Sequence, residues 1–564
     1  MGWLVGFTGP SIPSQLVIKQ DGALFEINEE CLHAQAGGIP ETCCRGELES
    51  GAQFLISGIG ISDGRILQTK DWITLLSQSR VDFDTMNGHF IVMRWNSDRV
   101  EFFTDSAGVR TLYGRECYGG LFFSSRLDWL AKLTGPLDID LVKFGSQWIL
   151  PNSINTSSVI KQVHRFGPST VAVVNQGKLH NTSKPWSCPI THEDTTGVKF
   201  ERTLREAMNL RGAFPWSLGL SGGLDSRVLC SIGENISAHN WGPSDHPDVQ
   251  ISSKLSDAHQ IDRHYIQSDI PEVDQCIHLL RQRVGLTQVI TPASASIERS
   301  GYGQLHAMGL GVIDGGFGEI ARRQLFNQIV FRRMLFRDSL NVSLKFPTTA
   351  KAMIFNPEVH QAMILNAVEE LNSVWRSLPQ SMTVSDKADL LSIRSRLPNF
   401  FGFEQNYLDH VCISYMPYAQ PSVLRALFQV PLRLRWNGRL LRRMIQKHAP
   451  NLSKYPLVKG TMMYPFRLGT VSSYAYTLLK KRFIPCYWDP RPQAYIGHMK
   501  EYILDTLRSD SVRHYEPYDQ VKLRQIADRF AVGDMQYTAQ LDWWLTFDLW
   551  RRVLSVNTLD SEVR

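Results

Sequence analysis

The sequence predicts an α+β chain in two parts. Residues 1–190 form a β-layered part, and residues 191–564 form an α/β part with a parallel sheet and a helical C-terminal stretch. Three observations predict it. Short apolar runs broken by turn residues fill the first part, the signature of half-buried strands that two β-layers would cover. From residue 216 strand-like and helix-like runs alternate, as in parallel strands joined by right-handed crossovers. Beyond about Arg323 helical patterns take over.

In order along the first part, strands are expected at 4–7, 90–95, 100–103, 121–124 and 170–174, with Asn96-Ser97-Asp98 as the hairpin turn between the second and third. In the second part a helix over 200–210 leads into a strand at 216–220. Strands follow at 236–241, 262–266 and 310–313, with helices at 227–232 and 247–258 between them. Residues 439–448 read as a basic helix. Trp543, Trp544, Phe547, Leu549 and Trp550 are expected to pack a terminal helix against the sheet.

Composition narrows the functional classes. A chain of 564 residues has core enough for two or three domains. Its 43% hydrophobic and 20% charged residues are those of an ordinary globular protein, and a net charge of +6 over this length does not call for nucleic acid. No run of about 18 apolar residues is present to span a membrane. Nine cysteines without a secretory pattern point to a reduced, cytoplasmic setting. Cys31, His33, Cys43 and Cys44 lack the spacing of a zinc knuckle.

The chemistry centres on Ser221-Gly222-Gly223-Leu224-Asp225-Ser226, between an apolar run and a helical one. The glycines let backbone N–H groups come close to a ligand. The helix start adds unpaired N–H groups and a partial positive charge, which suit phosphate. Ser221 and Ser226 supply hydroxyls. Asp225 makes sense beside phosphates if it holds Mg²⁺ between them. The absence of Gly-Lys-Ser/Thr excludes a Walker A loop.

This hexapeptide resembles the PP-loop of the asparagine synthetase superfamily, whose members cleave ATP to AMP and pyrophosphate while adenylating a carboxylate. The resemblance implies that Trp241 and Gly242 contact adenine and ribose. It also implies that the loop Asp314-Gly315-Gly316-Phe317-Gly318-Glu319 stands where the family has an acidic glycine-rich loop, with Gly315 and Gly316 against the nucleotide. That loop carries the second Mg²⁺ ligand, here Glu319, or Asp314 if the loop has shifted. Lys459-Gly460 matches the family's lysine-glycine pair and makes Lys459 the expected catalytic cation. Tyr415-Met416-Pro417-Tyr418-Ala419-Gln420 lacks the arginine and aspartate of the family's substrate motif, which speaks against aspartate or asparagine as substrate.

The first part resembles a class II glutamine amidotransferase domain through Met86–Phe90, Thr104–Arg110, Phe123–Arg126, Val163–Pro168 and Pro185-Trp186. That family's nucleophile is an N-terminal cysteine exposed when Met1 is removed. Here the residue is Gly2, and no cysteine precedes Cys31. Glutamine hydrolysis is therefore not expected. Superfamily members with such a degenerate domain include β-lactam synthetases, carbapenam synthetases and lasso-peptide cyclases, which close rings. A lasso-peptide macrolactam cyclase is the leading expectation, because the domain is kept without its nucleophile and the substrate motif is eroded. The resemblance implies ATP and Mg²⁺, and a small-molecule or peptide substrate bearing both a carboxylate and an amine. It also implies a precursor peptide and a partner protease, with the basic segments 322–337 and 433–447 offered to the peptide. An ammonia-dependent asparagine synthetase, another carboxylate-amidating enzyme, and a nucleotide-binding paralogue without turnover are the alternatives.

Overall fold

A computed structural model describes residues 2–13, 16, 18–78, 81–212, 215–267, 269–299, 301–323, 350–483 and 487–555. The basic segment 322–337 lies outside the described residues beyond Arg323.

The first part is built from two antiparallel sheets. One has the strand order His164–Phe166, Leu112–Cys117, Gly120–Ser124, Trp3–Thr8, Leu32–Gly37, Ala23–Asn28. The other runs Lys178–Thr182, Val171–Asn175, Arg99–Thr104, Asn87–Trp95, Gln53–Ser62, Cys43–Glu47, with Arg65–Ile66 paired to Gln53–Ser62. Side chains alternate across a strand. One set from each sheet therefore meets in a common core, where Leu4, Leu121 and Phe123 pack with Leu55, Ile91, Met93 and Phe102. Strand Asn87–Trp95 is buried on its other face as well, because helix Thr69–Leu76 lays Trp72 and Leu76 over Phe90 and Val92. This double cover is why the centre of the strand, Phe90 to Met93, reads as a continuous apolar run. The five expected strands are present, and the hairpin turn closes with Asn96 N–H donating to the Arg99 carbonyl at 3.1 Å.

The second part holds a parallel sheet in the order Arg263–Ile266, Ile236–Trp241, Trp216–Gly219, Gly311–Ile313, Ser414–Tyr415. From Trp216–Gly219 the chain builds outward on one side, then returns to build on the other. The direction of winding reverses beside Trp216–Gly219. In open parallel sheets a ligand crevice forms at such a reversal, beyond the carboxyl ends of the strands. The two-residue strand Ser414–Tyr415 is too short to leave a pattern in the sequence.

The terminal helix Thr538–Leu554 corrects one expectation. Its aromatic residues face other helices, not the sheet. Phe547 and Trp550 meet Phe144 of helix Leu141–Ile149 at 5.4 and 5.5 Å, and Phe547 meets Trp148 at 5.9 Å. This aromatic seam joins the two parts of the chain. Helix Pro357–Ser377 crosses the same helix closely, and a Cβ at Gly145 would stand 2.6 Å from Met363 Cα. A buried polar contact reinforces the junction. Asp409 pairs with both His89 and Arg110 at 3.2 Å, and Gly88 N–H donates to Gln420 Oε1 at 2.7 Å. Gln420 thus serves the join between the two parts.

Candidate active site

Strand Trp216–Gly219 runs through Leu220 into a turn and then helix Leu224–Ile232. Gly223 is the N-cap and supplies no side-chain cap. The first N–H groups of the helix therefore lack intrahelical partners and carry the positive end of its dipole. Ser226 Oγ accepts from Ser221 N–H at 3.2 Å, and Ser221 Oγ accepts from Gly223 N–H at 3.2 Å. The third loop donor is engaged as well, since Gly222 N–H donates to Asp248 Oδ1 at 2.8 Å, which leaves the N–H groups of the helix start to a ligand. A cavity of about 580 Å³ opens over the turn. Ser221, Gly223, Asp225, Ser226, Asp314 and Gly315 line its loop side, and Trp241, His239 and Tyr302 line the side of strand Ile236–Trp241. Leu224 is buried in the core, and Gly222 lies against the hairpin described below.

The three candidate carboxylates separate. Asp225 and Asp314 line the same cavity. Glu319 is turned to Arg396, which pairs with it and packs over Phe400 and Phe401. Asp314 Oδ1 accepts from Gly316 N–H at 2.9 Å, which fixes the start of the glycine-rich loop. Both oxygens of Asp225 are held by Arg322, at 3.0 Å from Nε and 2.9 Å from Nη2. Burial works against the charge on Arg322, but Asp225 and then Glu319 outweigh it and hold the guanidinium above its ordinary value. The loop approaches the helix closely. A Cβ at Gly318 would stand 2.6 Å from Asp225 Cβ, and one at Gly315 would stand 3.4 Å from Ser226 N. Gly316 packs toward Phe401 and Met416.

Lys459 arrives on a hairpin, Leu457–Lys459 with Met462–Tyr464. Val458 N–H donates to the Gly222 carbonyl at 2.9 Å, so the hairpin is bonded to the phosphate turn itself. A Cβ at Gly222 would stand 2.3 Å from Val458 Cγ2, so only glycine permits this approach. Gly460 and Thr461, at the hairpin tip, line the cavity. Arg227 secures the arrangement from below. It is fully buried and donates to the carbonyls of Gly222, Leu452, Tyr455 and Pro456. Lys459 itself is exposed and is not among the residues that line the cavity; desolvation by its surroundings, then the charge of Arg322, lowers its pKa.

Trp241 lines the cavity. Gly242 has φ of +122° and offers its carbonyl to Tyr265 Oη at 2.6 Å. Arg491, tied to Asp489 at 2.6 Å, closes that side. In the first part, a Cβ on Gly2 would stand 2.8 Å from Cys43 Sγ, Ser57 Oγ and the Thr42 carbonyl. The space a side chain would need at that position is filled, and burial pushes the Cys43 thiol up to about 11. Among the described residues no three His, Cys, Asp or Glu side chains group to hold a metal ion by themselves. No described helix is long and apolar enough to cross a membrane.

Sequence reasoning brought Ser221, Gly223, Asp225, Ser226, Trp241 and Gly315 to one cavity. It missed Arg227, Asp248, Arg322 and His239. Arg227 and Arg322 adjoin the hexapeptide and the glycine-rich loop in the sequence, His239 stands two residues before Trp241, and nothing in the sequence marks Asp248; their partners are distant in the chain.

No protein-family model matches the chain, and no curated protein matches it. Among solved structures it is similar to an allosteric regulatory enzyme of purine biosynthesis, with 9% identity and a TM-score of 0.19. That match covers 47% of this chain and 59% of the other, so the chain spans less than two thirds of that enzyme. It is also similar to glutamine phosphoribosylpyrophosphate amidotransferase from B. subtilis, with 9% identity over 56% of this chain and 75% of the other and a TM-score of 0.20. Neither score reaches the overlap of a shared fold.

Proposed function

We propose that this chain is an ATP-dependent amide synthetase. It activates a carboxylate as its adenylate with release of pyrophosphate, then passes the acyl group to an amine with release of AMP. The observation that carries this reading is the uncapped helix start after Ser221-Gly222-Gly223, opening with Asp225 and Asp314 onto one cavity at the reversal point of a parallel sheet. The donor set suits ATP with Mg²⁺. Backbone N–H groups and serine hydroxyls address phosphate oxygens, and two hard carboxylates, Asp225 and Asp314, address the metal. Mg²⁺ bound there would neutralise charge on the departing pyrophosphate. Arg322 competes with it for Asp225.

The chain's own groups divide the work. The N–H groups of the helix start orient ATP so that a substrate carboxylate oxygen attacks the α-phosphorus while the bond to pyrophosphate breaks. The amine nitrogen then attacks the acyl carbon, loses a proton, and the carbon–oxygen bond to AMP breaks. Lys459, on a hairpin bonded to the turn, stabilises the oxyanion formed in that second step. With no room for a nucleophile on residue 2, the amine comes from solution or from the substrate itself. We favour the second source: closure of a ring within a peptide, of the macrolactam kind made by lasso-peptide cyclases, with a precursor peptide and a partner protease. Helix Arg439–His448 buries Leu440, Leu441, Met444 and Ile445 and leaves a basic face for such a peptide.

A second reading, nucleotide binding without turnover, is favoured by the pairing of Asp225 with Arg322 and of Glu319 with Arg396. Carboxylate-dependent exchange of labelled pyrophosphate into ATP decides between the two. Exchange by the native chain, lost in Asp225→Ala, supports the synthetase. ATP binding without exchange for any carboxylate peptide leaves the second reading, and no ATP binding overturns both.

A further inference from the structure

His239 lies two residues before Trp241 on strand Ile236–Trp241, opposite Gly219 in the register of the neighbouring strand. Residues two apart share a face of the sheet, so Ser217, Gly219, His239 and Trp241 form one surface. The His239 side chain is 0% exposed, yet it lines the cavity. Its Nδ1 is 3.0 Å from Ser217 Oγ. Its Nε2 has no hydrogen-bond partner among the described residues. A buried polar atom without a partner is costly, and in a native fold it asks for an explanation.

The geometry says what kind of partner is missing. The hydroxyl of Ser217 has His239 Nδ1 as its hydrogen-bond partner, and it is satisfied by donating to it. In the tautomer that lets Ser217 donate, the ring proton sits on Nε2 and makes that atom a donor. Burial keeps the ring neutral at physiological pH. The walls around it are aromatic. Trp241 lies parallel to the imidazole at 5.5 Å, and Tyr302 meets Trp241 edge-on at 4.9 Å. Gly219 leaves the floor open, since a Cβ there would stand 3.5 Å from Nε2. A neutral N–H donor between aromatic faces, in the same cavity as the phosphate turn, matches a flat heterocycle with ring-nitrogen acceptors.

We propose that His239 is a specificity-determining residue whose Nε2–H donates to an acceptor nitrogen of a purine ring. The proposal rests on the nucleotide reading above and adds to it the group that reads the base. A pyrimidine nucleotide places its smaller ring short of the donor.

The test measures binding of ATP, CTP, and 1-, 3- and 7-deaza-ATP to the full chain, with thermal melting as the check on folding. The native chain should prefer ATP to CTP. It should lose about 10-fold in affinity for the one deaza analogue that lacks the contacted nitrogen, the scale of one buried hydrogen bond. His239→Phe keeps a ring of similar size without the donor. It should bind ATP about 10-fold more weakly and treat all three deaza analogues as it treats ATP. Gly219→Ala puts its methyl at ordinary contact distance from Nε2. It should melt like the native chain and bind ATP more weakly. If ATP binds the native chain and His239→Phe binds it equally well, or the deaza preference survives in that variant, the inference fails while the nucleotide reading stands. If His239→Phe fails to fold, unchanged ATP affinity in Gly219→Ala, or equal affinity of the native chain for all three deaza analogues, overturns it. If the native chain binds no nucleotide, the reading beneath it fails.

Discussion

Asp314 and Glu319 are five positions apart on one loop and have different fates. Asp314 lines the cavity with Asp225, while Glu319 is spent on Arg396. Asp314→Asn should cut pyrophosphate exchange by at least about 100-fold, the usual loss for a group that stabilises transition-state charge. Glu319→Gln should retain most of it. The opposite order would return the metal role to Glu319. Lys459 is judged by a different step. Lys459→Ala should bind ATP and still exchange some pyrophosphate, while amide product falls by about 10²–10³. Product at the native rate would remove Lys459 from the catalytic groups. Far from the cavity, Asp542 offers a pH-dependent test of the fold. Burial, partly offset by hydrogen bonds from Ser294 Oγ at 2.5 Å and Ser294 N at 2.8 Å, pushes its carboxyl up to about 6. The folded state therefore holds this proton to a higher pH than the unfolded chain. This group's contribution to stability falls as pH rises from about 4 to about 6 and stays low above that. Asp542→Asn should thus be more stable than the native chain at pH 7, by up to about 3 kcal/mol, and close to it at pH 4. Denaturant melts at the two pH values check it.

At the scale of elements, the strand–turn–helix around Ser221–Ser226 was legible because each of its signals is local: an apolar run, two glycines, and a helical pattern. The same holds for strand Asn87–Trp95, whose apolar run from Phe90 to Met93 records cover on both faces. The hairpin Leu457–Tyr464 was not legible. Its docking depends on Val458 meeting Gly222, more than 200 positions away, and on Arg227 binding carbonyls from both segments. Lys459 was placed through a resemblance alone, and no local signal in the sequence predicts the hairpin that carries it. The terminal helix shows a third case. Its apolar stripe was read correctly, but a stripe does not name its partner, and the partner is helix Leu141–Ile149 instead of the sheet. Trp148 on that helix is fully buried and donates Nε1–H to the Ala352 carbonyl at 3.1 Å. Trp148→Ala should cost about 3–5 kcal/mol, as large aromatic truncations do. A loss below about 1 kcal/mol in equilibrium unfolding would show that the seam is not part of the core.

At the scale of the molecule, the β-layered part and the α/β part were each legible in outline, through two periodicities that change near residue 200. How they join was not, because the join is made by isolated residues: Gly88 with Gln420, Asp409 with His89 and Arg110, and the aromatic seam. That seam has a consequence for what evolution can remove. A gene shortened to residues 191–564 would leave Phe547, Trp550 and their neighbours facing water, and exposed apolar surface of that kind favours aggregation. Single residues of the first part can drift, one position at a time, as long as the wall they stand in survives. Deleting the wall would be a single irreversible loss. The first part therefore serves as a wall against which the rest of the chain folds, whether or not it has any chemistry of its own.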